Sequence, residues 1–147
     1  MSISGDWYNE FGSHLRITAD PNGSIRGTYI SATGHAVGTY PLVGRYDTAA
    51  VPGHGTPLGW AVAWRNGRTD AGSVTSWSGQ YYEDGGEKIY VTWLLTASAI
   101  ATSAWEATSV GQDVFTRELP SPEGAEQLLR HAEAPTDPYP VDELTPV

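Results

Sequence analysis

The sequence predicts an all-β fold, an eight-stranded antiparallel up-and-down β-barrel followed by a C-terminal tail rich in Pro and Glu. Short runs of β-branched and aromatic residues alternate with turn residues throughout residues 1–117. Sixteen of the 17 glycines lie before residue 118, whereas six of the ten prolines lie after it. Eight consecutive strands joined by short hairpins can close into a barrel, which leaves no unpaired edge and an interior wide enough for one small ligand.

The eight strands are predicted in chain order at about residues 6–9, 13–19, 24–31, 39–47, 57–65, 72–82, 88–96 and 112–118. The segment 20–23, Asp-Pro-Asn-Gly, predicts the turn between the second and third strands, because Asn-Gly readily adopts positive φ. Residues 83–86 predict another turn. Residues 97–111 do not read as a strand and predict a long connection with one large side chain, Trp105.

Residues 32–38 form a second segment without strand character. They are small and flexible, and we expect them to act as a lid loop that includes Thr33, Gly34 and His35.

The composition changes at Glu118, which divides the chain into a barrel domain, 1–117, and an acidic, Pro-rich tail, 118–147. Ser121 as N-cap and Pro122 at the first helical position predict a short helix over about 122–134. Residues 135–147 contain four prolines and favour an extended chain.

The charge distribution excludes several partners. The net charge is −9, of which −3 lies in residues 1–117 and −6 in the tail. Neither part offers the basic stripe that nucleic acid or an anionic lipid surface requires. No apolar run is long enough to cross a bilayer, and the absence of Cys excludes disulfides and thiolate chemistry. We therefore expect neither a nucleic-acid nor a membrane partner.

Catalytic and metal-binding motifs are absent from the sequence. The four histidines are scattered, without the close spacing that holds a metal. No nucleophile elbow or phosphate-binding loop is present, and no pair of acidic residues stands out as general acid and base. The sequence predicts no catalytic residue, no metal and no cofactor.

The segment 73–77 is the most informative part of the chain. Side chains alternate across a strand, so Ser73, Thr75 and Trp77 share one face. Two hydroxyls and an indole pack poorly in an ordinary core but suit a cavity that holds a ligand with apolar and hydrogen-bonding surface.

The same mixture of polar and apolar side chains recurs on other strands. A purely structural core explains any single Trp, but it does not explain five polar side chains on inward faces. Each of them would cost about 1–3 kcal/mol if buried without a partner. They are Asn9, Tyr29, Ser31, Thr75 and Asp113.

Ordered Trp-centred motifs then reveal a family resemblance over about residues 5–117. They are Gly5-Asp6-Trp7-Tyr8-Asn9, Gly12-Ser13, Gly27-Thr28-Tyr29, Gly44-Arg45-Tyr46-Asp47, Gly59-Trp60-Ala61-Val62-Ala63-Trp64, Trp77-Ser78-Gly79-Gln80-Tyr81, Thr92-Trp93-Leu94-Leu95-Thr96, Trp105 and Val110-Gly111-Gln112-Asp113. The chain resembles the avidin/streptavidin family of biotin-binding proteins. The resemblance implies high-affinity, non-covalent binding of biotin inside the barrel, without catalysis.

The resemblance also implies a role for each site residue. The ureido oxygen of biotin would accept hydrogen bonds from Asn9, Ser13 and Tyr29, and its two N–H groups would donate to Ser31 and Asp113. Thr75 would face the sulfur, and Ser73 would bind the carboxylate at the mouth. The apolar wall would consist of Trp64, Trp77, Trp93 and Leu95.

The assembly follows from the same resemblance. Trp105 would reach the biotin site of a neighbouring subunit, which favours a homotetramer built as a dimer of dimers. A secreted or periplasmic location is implied as well. His35, Gly72 and Gln112 depart from the streptavidin pattern at the lid, the mouth and a subunit interface.

Two further expectations concern the tail and the ligand. The tail is expected to dock on a neighbouring subunit or its biotin site. The alternative function is an oligomeric barrel that carries another small heterocyclic or apolar ligand.

Overall fold

The computed structural model describes residues 2–31, 38–67, 71–124 and 126, and these residues form a closed eight-stranded barrel. Each strand pairs antiparallel with the next, and the last strand pairs with the first. The predicted fold class is therefore confirmed. The strands are β1 (Gly5–Asn9), β2 (His14–Ala19), β3 (Ser24–Ile30), β4 (Thr39–Tyr46), β5 (Thr56–Ala63), β6 (Ser73–Tyr82), β7 (Lys88–Ala97) and β8 (Thr108–Thr116).

The last strand is longer than the sequence predicts. β8 begins at Thr108 rather than near residue 112, and the predicted long connection shrinks to a short segment that contains a 3-10 helix, Ala101–Glu106. Residues 108–110 are exposed and small or β-branched, so they read as a loop in the sequence. Ladder pairing to β7 makes them a strand, and the hydroxyls of Thr96 and Thr108 lie 2.9 Å apart across that pair.

The alternating strand directions give the barrel two different ends. We call "upper end" the one at which β1, β3, β5 and β7 end and β2, β4, β6 and β8 begin. Among the described residues, 10–13, 31, 38, 64–67, 71–72 and 98–107 belong to connections between strands at this end. The opposite, lower end carries the tight turns at 20–23 and 83–87.

The lower end is filled by side chains. The guanidinium carbon of Arg117 lies 3.8 Å from the ring centre of Trp7, and Arg117 Nε donates to Glu87 Oε2 at 2.9 Å. The other Glu87 oxygen accepts from the Tyr81 hydroxyl at 2.6 Å, and the Trp7 indole donates to the carbonyl of Ile3. Among the described residues, these side chains close the lower end of the barrel interior.

Replacing Arg117 with Met is expected to lower the free energy of unfolding by about 1–3 kcal/mol, since it removes a cation–π contact and several charge-assisted hydrogen bonds. Thermal and denaturant unfolding measure this. Arg65→Met, which alters an exposed cation at the upper end, is the control. Equal stability of the two variants would contradict a structural role for Arg117.

The start of the tail agrees with the predicted cap. The backbone N–H of Gly124 donates to Ser121 Oγ at 3.0 Å, and residues 122–124 are helical. The rest of the predicted helix and the segment 127–147 lie outside the described residues. Within the described part of the chain, no helix has the length and apolar character needed to cross a membrane.

Candidate ligand-binding site

Eleven of the predicted site residues lie in the barrel interior or at its upper end, whereas Trp105 and the predicted lid do not belong to this group. Six of them stand at or beside strand ends that meet at the upper end, namely Asn9, Ser13, Ser31, Trp64, Ser73 and Leu95. Asn9, Ser13 and Trp64 are buried, while Ser31, Ser73 and Leu95 are half-buried. The remaining predicted interior residues, Tyr29, Thr75, Trp77, Trp93 and Asp113, are buried.

A tight turn directly after β1 fixes Asn9, the last residue of that strand. Its Oδ1 accepts hydrogen bonds from the backbone N–H groups of Phe11, at 3.0 Å, and Ser13, at 2.9 Å. Gly12 completes the turn with φ of +88°, a conformation that favours glycine. Because the amide oxygen is bound to the backbone, the amide nitrogen is the group that Asn9 can present to a neighbour as a hydrogen-bond donor.

Aromatic side chains surround Trp77 on β6. Trp60 on β5 and Trp93 on β7 lie opposite Trp77 in the strand register, so three indoles occupy one row of the sheet. The ring of Trp60 stacks on Trp77 with centroids 5.6 Å apart, and the ring of Tyr29 stacks on it at 5.1 Å. This row forms a rigid apolar wall.

Polar groups are set into this wall at defined positions. The Trp64 indole N–H donates to Thr75 Oγ1 at 2.8 Å, which ties the end of β5 to β6. The backbone reinforces the same joint, because the N–H of Trp64 donates to the carbonyl of Ser73 at 2.9 Å. The face that carries Ser73, Thr75 and Trp77 points inward, as the alternation predicts, while Val74 and Ser76 are exposed.

Four buried polar atoms make no hydrogen bond among the described residues. Each would cost about 1–3 kcal/mol if nothing satisfied it. Two are the indole nitrogens of Trp60 and Trp93, and the other two are Ser73 Oγ and Asp113 Oδ1. This donor and acceptor set suits a ligand with N–H and oxygen groups along an apolar body.

Asp113 is the most perturbed group of the site. It is 1% exposed, and its Oδ2 lies 3.4 Å from the indole nitrogen of Trp77. Burial raises the pKa of Asp113 well above its usual range, and the nearby carboxyl of Glu10 raises it further, against the opposing effects of Trp77 and Asn9. Burial likewise raises the pKa of Glu10. A buried acceptor of this kind is typical of a binding site.

Sequence reasoning missed two features of the site. It found no notable pair of acidic residues, yet the structure brings Glu10 and Asp113 together across 103 positions of the chain. It also gave Trp60 no role in the site. The β5–β6 register places Trp60 opposite Trp77, and the sequence of a single strand does not contain this information.

Trp105 lies away from its own barrel. It is 99% exposed on the 3-10 helix, no residue of which is buried. The predicted lid residues Thr33, Gly34 and His35 lie outside the described residues, as does the tail beyond residue 126.

The fold and the site define the class of protein: a closed antiparallel barrel whose upper interior is lined with indoles and buried polar groups, an arrangement suited to a small ligand. No group of three or more His, Asp or Glu side chains within residues 2–31, 38–67 and 71–124 is arranged to hold a metal.

Comparison with known proteins identifies the family. The Avidin family profile matches residues 1–118. Avidin of Gallus gallus is 34% identical over 123 residues, which cover 79% of this chain and 78% of avidin. Afifavidin of Afifella pfennigii is 34% identical over 119 residues, 78% of this chain and 69% of its own. Fibropellin-1 of Strongylocentrotus purpuratus is 32% identical over 122 residues, 78% of this chain but 11% of its own. The chain belongs to the avidin family, whose members are binding proteins and not enzymes.

Proposed function

We propose that the chain binds biotin non-covalently and with high affinity in the upper half of the barrel. The observation that carries the proposal is the buried Asp113 carboxyl, with one unpartnered oxygen, beside the Trp60–Trp77–Trp93 row. A cyclic urea fused to an apolar ring matches this combination of a buried acceptor and an aromatic wall. Membership of the avidin family supports the same ligand.

The site residues take the following roles in this proposal. Donors from β1, the β1–β2 turn and β3 meet the ureido oxygen, and they are Asn9, Ser13 and Tyr29. Three donors on one oxygen stabilise negative charge on it, as in an oxyanion hole. The ureido N–H groups donate to Ser31 and Asp113. Thr75 contacts the sulfur, and Ser73 donates to the carboxylate near the mouth.

The ring of biotin packs between indoles. Trp64, Trp77 and Trp93 supply most of the apolar contact, and Leu95 completes the wall. Burial of aromatic surface and preorganised polar groups together produce tight binding, because neither has to reorganise when the ligand enters.

A homotetramer completes the proposed site. Leu94 on β7 and Val110 on β8 are register partners on the outer face, and both are about half exposed or more. Tyr90 on β7 and Trp105 in the β7–β8 connection add exposed aromatic surface. Such surfaces are usually covered in an assembly. We propose that each Trp105 contributes to the biotin site of a neighbouring subunit, and that the protein acts outside the cytoplasm.

Titration calorimetry with biotin tests the proposed function. We expect one biotin per barrel and strong binding, with desthiobiotin, which lacks the sulfur, as a weaker reference ligand. A carrier of another small heterocyclic or apolar ligand is the alternative. Absence of heat and of any shift in unfolding temperature with biotin would rule out the proposal and favour that alternative.

Removing the tail after Glu118 is expected to raise the association rate of biotin if the tail docks on a neighbour or its site. The comparison is stopped-flow Trp fluorescence with the full chain and with residues 1–118. A full-length chain in which the acidic residues beyond 118 are changed to amides serves as the control for charge alone. Equal association rates in all three proteins would contradict docking of the tail at the site.

A further inference from the structure

Glu10 lies at the seam of the barrel, which is the junction between β1 and β8. It comes directly after the last residue of β1 that pairs with β8. The β1–β8 ladder pairs Tyr8 with Thr116 and Asn9 with Phe115, and β1 ends there. The next N–H on β8, that of Val114, donates to Glu10 Oε2 at 3.0 Å. A side-chain carboxylate therefore replaces a strand partner and closes the seam beside the candidate site.

The bond to Val114 brings the Glu10 carboxyl next to Asp113, and the two carboxyls lie within hydrogen-bonding reach of each other. Glu10 follows Asn9, and Asp113 precedes Val114, so both acids flank residues of the seam. Glu10 is 8% exposed and Asp113 is 1% exposed. When two carboxyl groups lie close together in a buried site, ionising both is unfavourable because their negative charges repel each other.

Among the described residues that act on Glu10 and Asp113, no cation balances the negative charge of the pair. The groups that face Asp113 are Glu10 from the β1–β2 segment, Asn9 from β1 and Trp77 from β6, and only Glu10 is acidic or basic. Apart from Asp113, the only groups that act on Glu10 are backbone groups, among them the N–H of Val114. N–H groups stabilise a negative charge on both acids, but Asp113 is the more deeply buried of the two, so the shared proton resides mainly on Asp113.

We propose that Glu10 is a positioning residue that shares one proton with Asp113, and that the pair releases this proton when a ligand N–H binds Asp113. This inference rests on the proposed function. Its consequence is a pH-dependent affinity for biotin.

The sign of the pH dependence follows from the pair. Burial and Glu10 raise the pKa of Asp113 in the free barrel, whereas a bound ligand N–H lowers it. Binding is therefore strongest above the raised pKa of the free form. Between the two pKa values, affinity falls by about tenfold for each unit of decreasing pH.

The test compares wild type with Glu10→Gln. The Gln amide oxygen can still accept from Val114, but it carries no charge to raise the pKa of Asp113. We measure biotin affinity and dissociation rate across pH, and proton release by calorimetry in two buffers of different ionisation enthalpy. The expected result is up to one proton released by wild type, less by Glu10→Gln, and a decline of affinity that begins at lower pH in the variant.

Glu83→Gln makes the same chemical change at an exposed turn of the lower end, and its profile should follow wild type. Superimposable profiles for wild type and Glu10→Gln would overturn the inference.

A ligand-free measurement separates this inference from the proposed function. Infrared titration of the unliganded wild-type protein should show a protonated carboxyl band that persists above the ordinary carboxyl range and disappears in Asp113→Asn. Lack of that band in wild type would overturn the shared proton without reference to biotin. If the band is present but biotin does not bind at any pH, the proposed function fails while proton sharing stands.

Discussion

Asp113→Asn is expected to weaken biotin binding by about 10- to 150-fold, which corresponds to about 1.5–3 kcal/mol for a charge-assisted hydrogen bond. The substitution keeps the shape of the side chain but replaces a carboxylate acceptor with a neutral amide. The ligand N–H then lies in a buried site opposite a weaker acceptor. Calorimetry or competition binding at mildly alkaline pH, where the Asp113 carboxylate of wild type is ionised, measures the change.

The same variant should leave the free barrel at least as stable as wild type. Because the folded protein holds Asp113 at a raised pKa, the folded state binds more protons than the unfolded chain, and wild-type stability decreases as pH rises through that range. Asp113→Asn should flatten this dependence. Asp84→Asn, at an exposed turn, is the matched control. Unchanged biotin affinity in Asp113→Asn would show that the site is misassigned.

The strands and their inward faces can be predicted from local pattern alone. Period-two alternation places Ser73, Thr75 and Trp77 on one face whatever the rest of the chain does, and the structure confirms that this face is the inner one. The meander order then predicts that successive strands end alternately at the two ends of the barrel. This is why residues as distant as Asn9 and Leu95 could be expected near one another.

The register between strands could not be predicted in the same way. Each ladder depends on turn geometry and on the shear of the closed barrel, which no single strand encodes. The contact between Glu10 and Val114 spans 104 positions and results from the pairing of the first strand with the last, β1 with β8. The sequence did not reveal the early start of β8 for a related reason, since its first residues, 108–110, are exposed and pair only with β7.

Trp105→Ala is expected to weaken biotin binding by about 30- to 1,000-fold, the effect of about 2–4 kcal/mol that is typical of a Trp at the centre of an interface. The same substitution should change the free energy of unfolding of an isolated barrel by no more than about 0.5 kcal/mol, because Trp105 is 99% exposed in a single barrel. Light scattering reports the oligomeric state of the same samples, and Ile100→Ala, an exposed apolar residue beside the 3-10 helix, is the control.

Mixing subunits shows which barrel Trp105 serves. In an assembly of Asp113→Ala and Trp105→Ala subunits, a barrel with intact Asp113 receives intact Trp105 only from its neighbour. A Trp that acts across the interface therefore regenerates up to one wild-type site per pair, with the slow biotin dissociation of the native protein. A Trp that acts on its own barrel regenerates none, and every site in the mixture would dissociate at the rate of one or the other variant. The number of slow sites thus distinguishes a site shared between subunits from one completed within a single barrel.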